Sequence, residues 1–479
     1  MKKEFALALT CSLVLLYLQS CKKDKDETSE DPVIETNYPS AIESIISNKC
    51  STSGCHDDVS YPAAGGLNLS TWDKLFQGSR GGAVVIPYRP DFSTLCYYTN
   101  IDSTQGLILQ PTMPYNRPPL SASEYATLKN WILQGAPDKN GFIKFSDNPN
   151  RKKFYTGCQG CDVVAVFDAE TKLAMRYVSV GALVNIEAPH MIKVSPNNQF
   201  YCVSFIGGNY FQKYSTVDNT LLGQVDITFG SWNTFAISSD SQKAYAVEFA
   251  TGRIAFINLN DMTAQVISFG FSYPHGSALN NSDDTLYVTS QQGSSVIKIP
   301  VNDYFNYDQK IFPGGPLNIH EITFSPDGSK YFLTCNGTSQ VLVISTATDS
   351  VISSIPVGYY PQEMGISLTM PYLFVTCMED QTTFPGKRGS VYILNYNTLQ
   401  VVGSVYAGHQ SHGVGVDDQY NRVYISNRNV TNDGPSPHHS SLCGGRNGYI
   451  TAIDMNTLQL ITGFKAEVSV DPYGVGITH

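Results

Sequence analysis

The chain has 479 residues, of which 42% are hydrophobic and only 15% charged, and it carries a net charge of −10. That is enough apolar content for more than one core, and the acidic surface argues against nucleic acid, whose phosphates it would repel. An aromatic share of 11% with 29 Tyr, 39 Gly and 25 Pro favours β-structure and turns over helix bundles.

Lys2 and Lys3 precede an apolar run from Phe5 to Leu18, which reads as a secretory signal over residues 1–20 and not as part of the fold. The run closes on Leu18-Gln-Ser-Cys21. From the residues alone, Cys21 is either a stray thiol behind an ordinary cleaved signal or an acylated mature N-terminus. The stretch resembles a bacterial lipobox, which implies acylation of Cys21, and the following Lys22 resembles an outer-membrane sorting signal. The expectation is an exported lipoprotein, anchored in the outer membrane and facing the periplasm or the cell surface. Residues 21–38 are expected to be the acylated Cys that the resemblance implies and a charged, core-poor tether. No later run reaches the length of a membrane span, so membrane attachment is expected through the lipid only. Export also permits both disulfides and haem attachment.

Residues 39–145 are the first expected folded unit. Pro39 to Ile46 reads as a short helix leading into Cys50-Ser-Thr-Ser-Gly-Cys55, with His56 directly after. Two thiols beside a histidine suit covalent haem: each thiol can add to a vinyl group, and the histidine then takes the proximal position on iron. The common spacing is C-x-x-C-H. Here four residues separate the thiols, so two must loop outward. The alternative is a plain Cys50–Cys55 disulfide. Met113-Pro114 follows in a polar, Pro-rich loop and offers a thioether to the opposite face of the iron; His/Met ligation raises the potential. The alternative for Met113 is a gap-filling core residue. Ser121-Ala-Ser-Glu124 is a capping box, opening an amphipathic helix that runs to Gly135.

The stretches Ile45-Ile-Ser-Asn-Lys-Cys50, Gly65-Gly-Leu-Asn-Leu-Ser70, Val85-Ile-Pro-Tyr-Arg-Pro90, Met113-Pro114 and Leu120-Ser-Ala-Ser-Glu124 through Trp131-Ile132 resemble, in that order, the planctomycete-type c-type cytochromes. The resemblance implies a small all-α cytochrome c domain with covalent haem c, thioethers on Cys50 and Cys55, His56 proximal and Met113 distal. The longer thiol spacing is the departure, and it bears on attachment of both vinyls.

Residues 150–479 are a tandem array. An aromatic strand core recurs at Tyr155, Tyr201, Tyr245, Tyr287, Phe332, Phe374 and Tyr424, at intervals of 46, 44, 42, 45, 42 and 50 residues. Each unit holds four short runs with period-two alternation and turn residues between them, which predicts four antiparallel strands. Such units repeated radially make a β-propeller. Leu286-Tyr-Val-Thr-Ser290 and Ile355-Pro-Val-Gly358 resemble the YVTN family, and the resemblance over seven units implies seven blades. The run Pro472 to His479 matches a first strand, while Lys153-Phe-Tyr-Thr matches a second. The two ends are therefore expected to complete one blade and leave no free edge. The predicted class is mainly β: a seven-bladed β-propeller preceded by the all-α unit.

Aligned first strands share one column: His190, Asn233, His275, His320, Gln362, His412 and Tyr473. Four of the nine histidines in the chain lie in it. They are expected at one mouth of the central channel, where an imidazole cluster suits copper or another transition metal. The alternative is that descent from one ancestral unit preserved a residue that bonds blade-connecting loops. On the same face, Cys158-Gln-Gly-Cys161 in the closing blade is expected near the long loop Asn429 to Asn447, with His438, His439 and Cys443. A disulfide between two of these thiols and a Cys/His metal site are both open. Cys96, Cys202, Cys335 and Cys377 read as small packed residues. No G-x-S-x-G, H-E-x-x-H or P-loop pattern is present, and no carboxylate constellation for a hydrolytic metal is readable.

The leading functional reading is an exported haem-c electron-transfer protein with a redox protein or small-molecule substrate as partner. If it is an enzyme, it is a periplasmic oxidoreductase with a second site at the propeller mouth. The rival is a binding module in which the propeller presents a recognition surface and haem serves as relay or sensor.

Overall fold

The alternating runs after residue 150 resolve into seven antiparallel sheets, six with four strands and one with five, in a computed structural model that describes residues 35–428, 443 and 448–479. Cys21, His438 and His439 lie outside the described residues. One blade shows the logic: strands Ile319–Phe324, Lys330–Cys335, Gln340–Ser345 and Val351–Pro356 pair in chain order. The second strand is almost wholly buried, while the fourth is mostly exposed. Inner strands are sandwiched between neighbouring blades and so are apolar on both faces; outer strands meet water. The recurring aromatics, from Tyr155 to Tyr424, are all 3% exposed or less.

The ring closes as the pattern predicts. Strand Pro472–Ile477 pairs with Lys153–Cys158, with Phe154 opposite Ile477 and Tyr155 opposite Gly476. Around the axis, a belt of second-strand hydroxyls stitches one first strand to the next. Thr289 Oγ1 accepts from the Gly276 N–H (2.8 Å) and donates to the His320 carbonyl (2.9 Å). Thr334 links Glu321 N–H (3.0 Å) to the Gln362 carbonyl (2.8 Å), and Thr376 links Glu363 N–H (3.2 Å) to the His412 carbonyl (2.6 Å). Ser426 links Gly413 N–H to the Tyr473 carbonyl, both at 2.8 Å. A Cβ on Gly413 would collide with that Tyr473 carbonyl, so the approach there requires glycine. Replacing Thr334 by Val keeps the shape and orphans a buried donor and acceptor. We expect a loss of about 1–3 kcal/mol, seen as a lower urea midpoint at unchanged slope.

Among the described residues, the segment before the blades carries four α-helices: α1 (Ser40–Lys49), α2 (Trp72–Leu75), α3 (Thr94–Thr99) and α4 (Ala122–Leu133). Helix α1 begins one residue and ends three residues later than the short helix expected over Pro39 to Ile46. The Ser121/Glu124 capping box at α4 is formed in both directions. Ile42, Ile45 and Ile46 of α1 pack with Trp72, Leu128, Trp131 and Ile132 into one core, and the Trp72 indole N–H donates to the Ala136 carbonyl at 2.9 Å.

This segment and the blades belong to one compact unit, Asn37–His479. It docks on the outer strand of the closing blade, Ala174–Ser179. Phe92 stacks on Tyr177 at 4.8 Å, and Arg89 donates to the Tyr177 carbonyl and the Ser179 hydroxyl, both at 3.1 Å. Ala174, Met175 and Tyr177 are buried as a result, whereas no residue of the equivalent outer strand Thr263–Ser268 is.

Candidate functional site

Helix α1 delivers Cys50 at its C-terminus, where the Cys50 N–H bonds the Ile46 carbonyl. The loop that follows folds back on itself. Cys55 N–H donates to the Thr52 carbonyl (2.9 Å) and His56 N–H to the Cys50 carbonyl (3.2 Å), so both thiols and the imidazole come from one tight turn. Gly54, at φ +84°, supplies the left-handed step. Both cysteines are free thiols, Cys50 buried and Cys55 half-buried. Burial, with the nearby Cys55 adding to it, pushes the Cys50 thiol up to about 12.

The orientation of His56 is set by its partner. Its Nδ1 lies 3.0 Å from the Leu67 carbonyl. A carbonyl only accepts, so Nδ1 carries the proton and Nε2 carries the lone pair that a metal would take. The Leu69 N–H in turn bonds the His56 carbonyl at 2.8 Å, fastening the histidine to the same extended segment. Asp58 braces this segment: hydrogen bonds from Lys74, Asn68 and Ser70 hold its carboxyl at about 2. Met113 is half-buried on the loop after α3, with its N–H on the Tyr98 carbonyl at 2.7 Å. The turn thus holds a ligand nitrogen of defined tautomer beside two thiols not bonded to each other, donor types that suit haem c, while the Met113 thioether lies on a separate loop.

A second cluster lies on the propeller axis. His190, His275, His320 and His412 are each 4% exposed or less, so they do not line an open mouth. Nor do they form one four-imidazole ring. His275 and His320 face each other with ring centroids 3.9 Å apart, whereas Tyr473 packs against both His190 (3.7 Å) and His412 (3.8 Å). The seventh first strand brings a tyrosine where the others bring smaller groups, and its ring fills the space between the two imidazoles. His412 Nε2 lies 3.0 Å from Gln362 Oε1, and His190 Nδ1 lies 2.9 Å from Gln159 Oε1.

Two carboxylates join this cluster that the sequence reading did not find. Glu321 and Glu363 follow column positions His320 and Gln362 and are 5% and 6% exposed. Where they sit, other blades have Met191, Thr234, Gly276, Gly413 and Gly474. A charged residue inside a channel-lining strand was the available signal. The pairing of each of these strands with its second strand is bulged, between Ile319 and Ile322 and between Pro361 and Met364. Burial, eased in part by the Lys193 charge and the Ile322 N–H, pushes Glu321 up to about 7; burial and the neighbouring Glu321 charge likewise raise Glu363 well above the usual carboxylate range. Tyr473 Oη donates to Glu363 Oε1 at 3.4 Å. Both carboxylates and Lys193 line a cavity of about 420 Å³, which reaches the turn residues Pro196, Ser239 and Asp283 at the opposite end of the first strands.

Of the cysteine group, Cys161 and Cys443 form a disulfide between positions 282 residues apart, and Cys158 is buried. Next to it Gln159 spans from His190 to Asp471, whose other oxygen takes Arg428 at 2.8 Å. Cys96, Cys202, Cys335 and Cys377 are buried free thiols.

No protein-family model matches the sequence, and no curated protein matches it. Among solved structures, a functionally unknown protein from Desulfotomaculum acetoxidans DSM 771 aligns at TM-score 0.55 and 13% identity, over 68% of this chain and 99% of that one. A protein named as a 6-phosphogluconolactonase from Bacteroides uniformis ATCC 8492 aligns at 0.52 and 13%, over 69% and 100%. A dihydro-heme d1 dehydrogenase in complex with DHE aligns at 0.48 and 12%, over 91% and 98%. The first two share the fold and nothing more can be taken from them; the third falls too low to bear on function.

Proposed function

We propose that this chain is an exported haem-c electron-transfer protein, tethered by a lipid on Cys21, whose front segment (residues 39–145) holds the haem and whose propeller (residues 150–479) meets a redox partner or small-molecule substrate. The observation that carries the reading is the His56 Nδ1–H bond to the Leu67 carbonyl beside two unbonded thiols. Cys50 and Cys55 are the attachment thiols. His56 is the proximal ligand, oriented by its carbonyl partner, and Met113 is the distal ligand. Bound there, haem c supplies one-electron transfer. The chain's own residues do the rest: the Ile42, Ile45 and Trp131 core keeps water from one side of the site, and the Asp58–Lys74 brace keeps the His56 loop from swinging.

The deciding experiment is a haem and metal inventory of the mature chain, exported in a host that matures c-type cytochromes. One haem iron per chain with a Soret band supports the reading; colourless protein defeats it and leaves a recognition propeller. A Met113→Ala variant should lose the His/Met charge-transfer band and drop in reduction potential. An unchanged spectrum would place the distal ligand elsewhere.

A further inference from the structure

We propose that His275, His320 and Glu321 form a binding site for one divalent transition-metal ion, of the zinc or copper class, on the propeller axis. One ligand atom from each of the three lies within 4.8 Å of the others, and all three residues are buried. They come from two neighbouring first strands, and the chain is built to bring those strands close. A Cβ at Gly276 would press on the Glu321 Cα and the His320 carbonyl, at 2.7 Å each. Thr289 clamps the same two strands through Gly276 N–H and the His320 carbonyl.

A second observation points to a ligand. Glu321 Oε1 accepts the Ile322 N–H at 2.9 Å, but Oε2 is buried and accepts no hydrogen bond among the described residues. A buried carboxylate oxygen without a donor is costly, and a cation would meet it. The local charge agrees: two carboxylates, Glu321 and Glu363, line the cavity together with Lys193. Metal–ligand bonds of about 2.0–2.2 Å need the donors somewhat closer together than they now stand. Rotation of the Glu321 side chain, held by one hydrogen bond, can supply that. Two imidazoles and one carboxylate suit a borderline transition metal and not magnesium or calcium. Because Glu321 also borders the 420 Å³ cavity, an ion there keeps a face toward small molecules in the channel. His190 and His412, packed on either side of Tyr473, are outside the ligand set.

The site is independent of the haem, so the two readings fail separately. The test uses the full mature chain, stripped with a chelator and dialysed against zinc ions, with zinc counted by mass spectrometry and its ligands read by X-ray absorption at the zinc edge. We expect one zinc per chain with nitrogen and oxygen neighbours, and at least tenfold weaker binding in Glu321→Gln and in His275→Gln with His320→Gln. Glu363→Gln should retain the stoichiometry. If the double variant does not fold, Glu321→Gln and the absorption spectrum of the wild type still decide. No zinc uptake, sulfur neighbours, or equal binding by Glu321→Gln would overturn the assignment.

Discussion

Haem in a Cys50→Ser/Cys55→Ser double variant, exported and matured alongside the wild type, should be fully extractable into acid–acetone, while the wild-type haem stays with the protein. Thioether bonds are the sole covalent tie a protein of this kind offers its porphyrin, so the expected change is complete. The geometry makes the pair act as a unit. Cys50 closes α1, Cys55 follows one turn later, and the His56 N–H reaches back to the Cys50 carbonyl. Single variants separate the two attachments. Cys50→Ser leaves the half-buried Cys55 and should retain one thioether, read as a shifted pyridine haemochrome. Cys50 packs into the front core, so Ser there is also expected to cost stability, and far-ultraviolet dichroism must accompany the extraction. Haem that resists extraction in the double variant would falsify covalent attachment through these thiols.

The second large effect concerns closure. A chain truncated after Asp471 loses strand Pro472–Ile477, and with it the burial of Tyr473 and Ile477, which are 2% and 5% exposed. At roughly 1.5–3 kcal/mol for each fully buried apolar side chain, Tyr473 and Ile477 together contribute about 3–6 kcal/mol, to which the half-buried Val475 adds. That is a large share of the whole stability of an ordinary domain, about 5–15 kcal/mol. The deletion also frees the edge of Lys153–Cys158 and orphans the Ser426 hydroxyl bond to the Tyr473 carbonyl. We expect the truncated chain to lose its cooperative thermal transition and to be cut rapidly by protease. A transition within a few degrees of the wild type would mean that neighbouring blades hold the ring without this strand.

The two sites differ in how far they could be read from the amino acids. Cys50, Cys55 and His56 lie within seven consecutive residues, and a local motif is legible because one turn of chain brings its parts together. The direction of the His56 imidazole was not legible. It depends on the Leu67 carbonyl, eleven residues on and across a loop. On the propeller axis the column of histidines could be aligned, but not how their rings would share space. That depended on the bulk of Tyr473, which enters from the far end of the chain and separates His190 from His412. Glu321 and Glu363 were less legible because only two of the seven blades carry Glu directly after the column position, where the others have Met, Thr or Gly. The Cys161–Cys443 partner choice among the loop thiols was equally beyond reach.

Period-two alternation, the spaced aromatics and the matching ends were sufficient, as a sequence alone, to determine seven repeated units and their closure, but not the fifth strand, Ala466–Val468, that one sheet gains. Those features act within one repeat or between adjacent ones, where strand geometry leaves few choices. Tertiary structure alone decided which side chains meet on the axis and how the front segment covers the strand Ala174–Ser179. It also decided which imidazoles stand beside a carboxylate. Such contacts join residues from separate blades, and their distances follow from packing the whole ring.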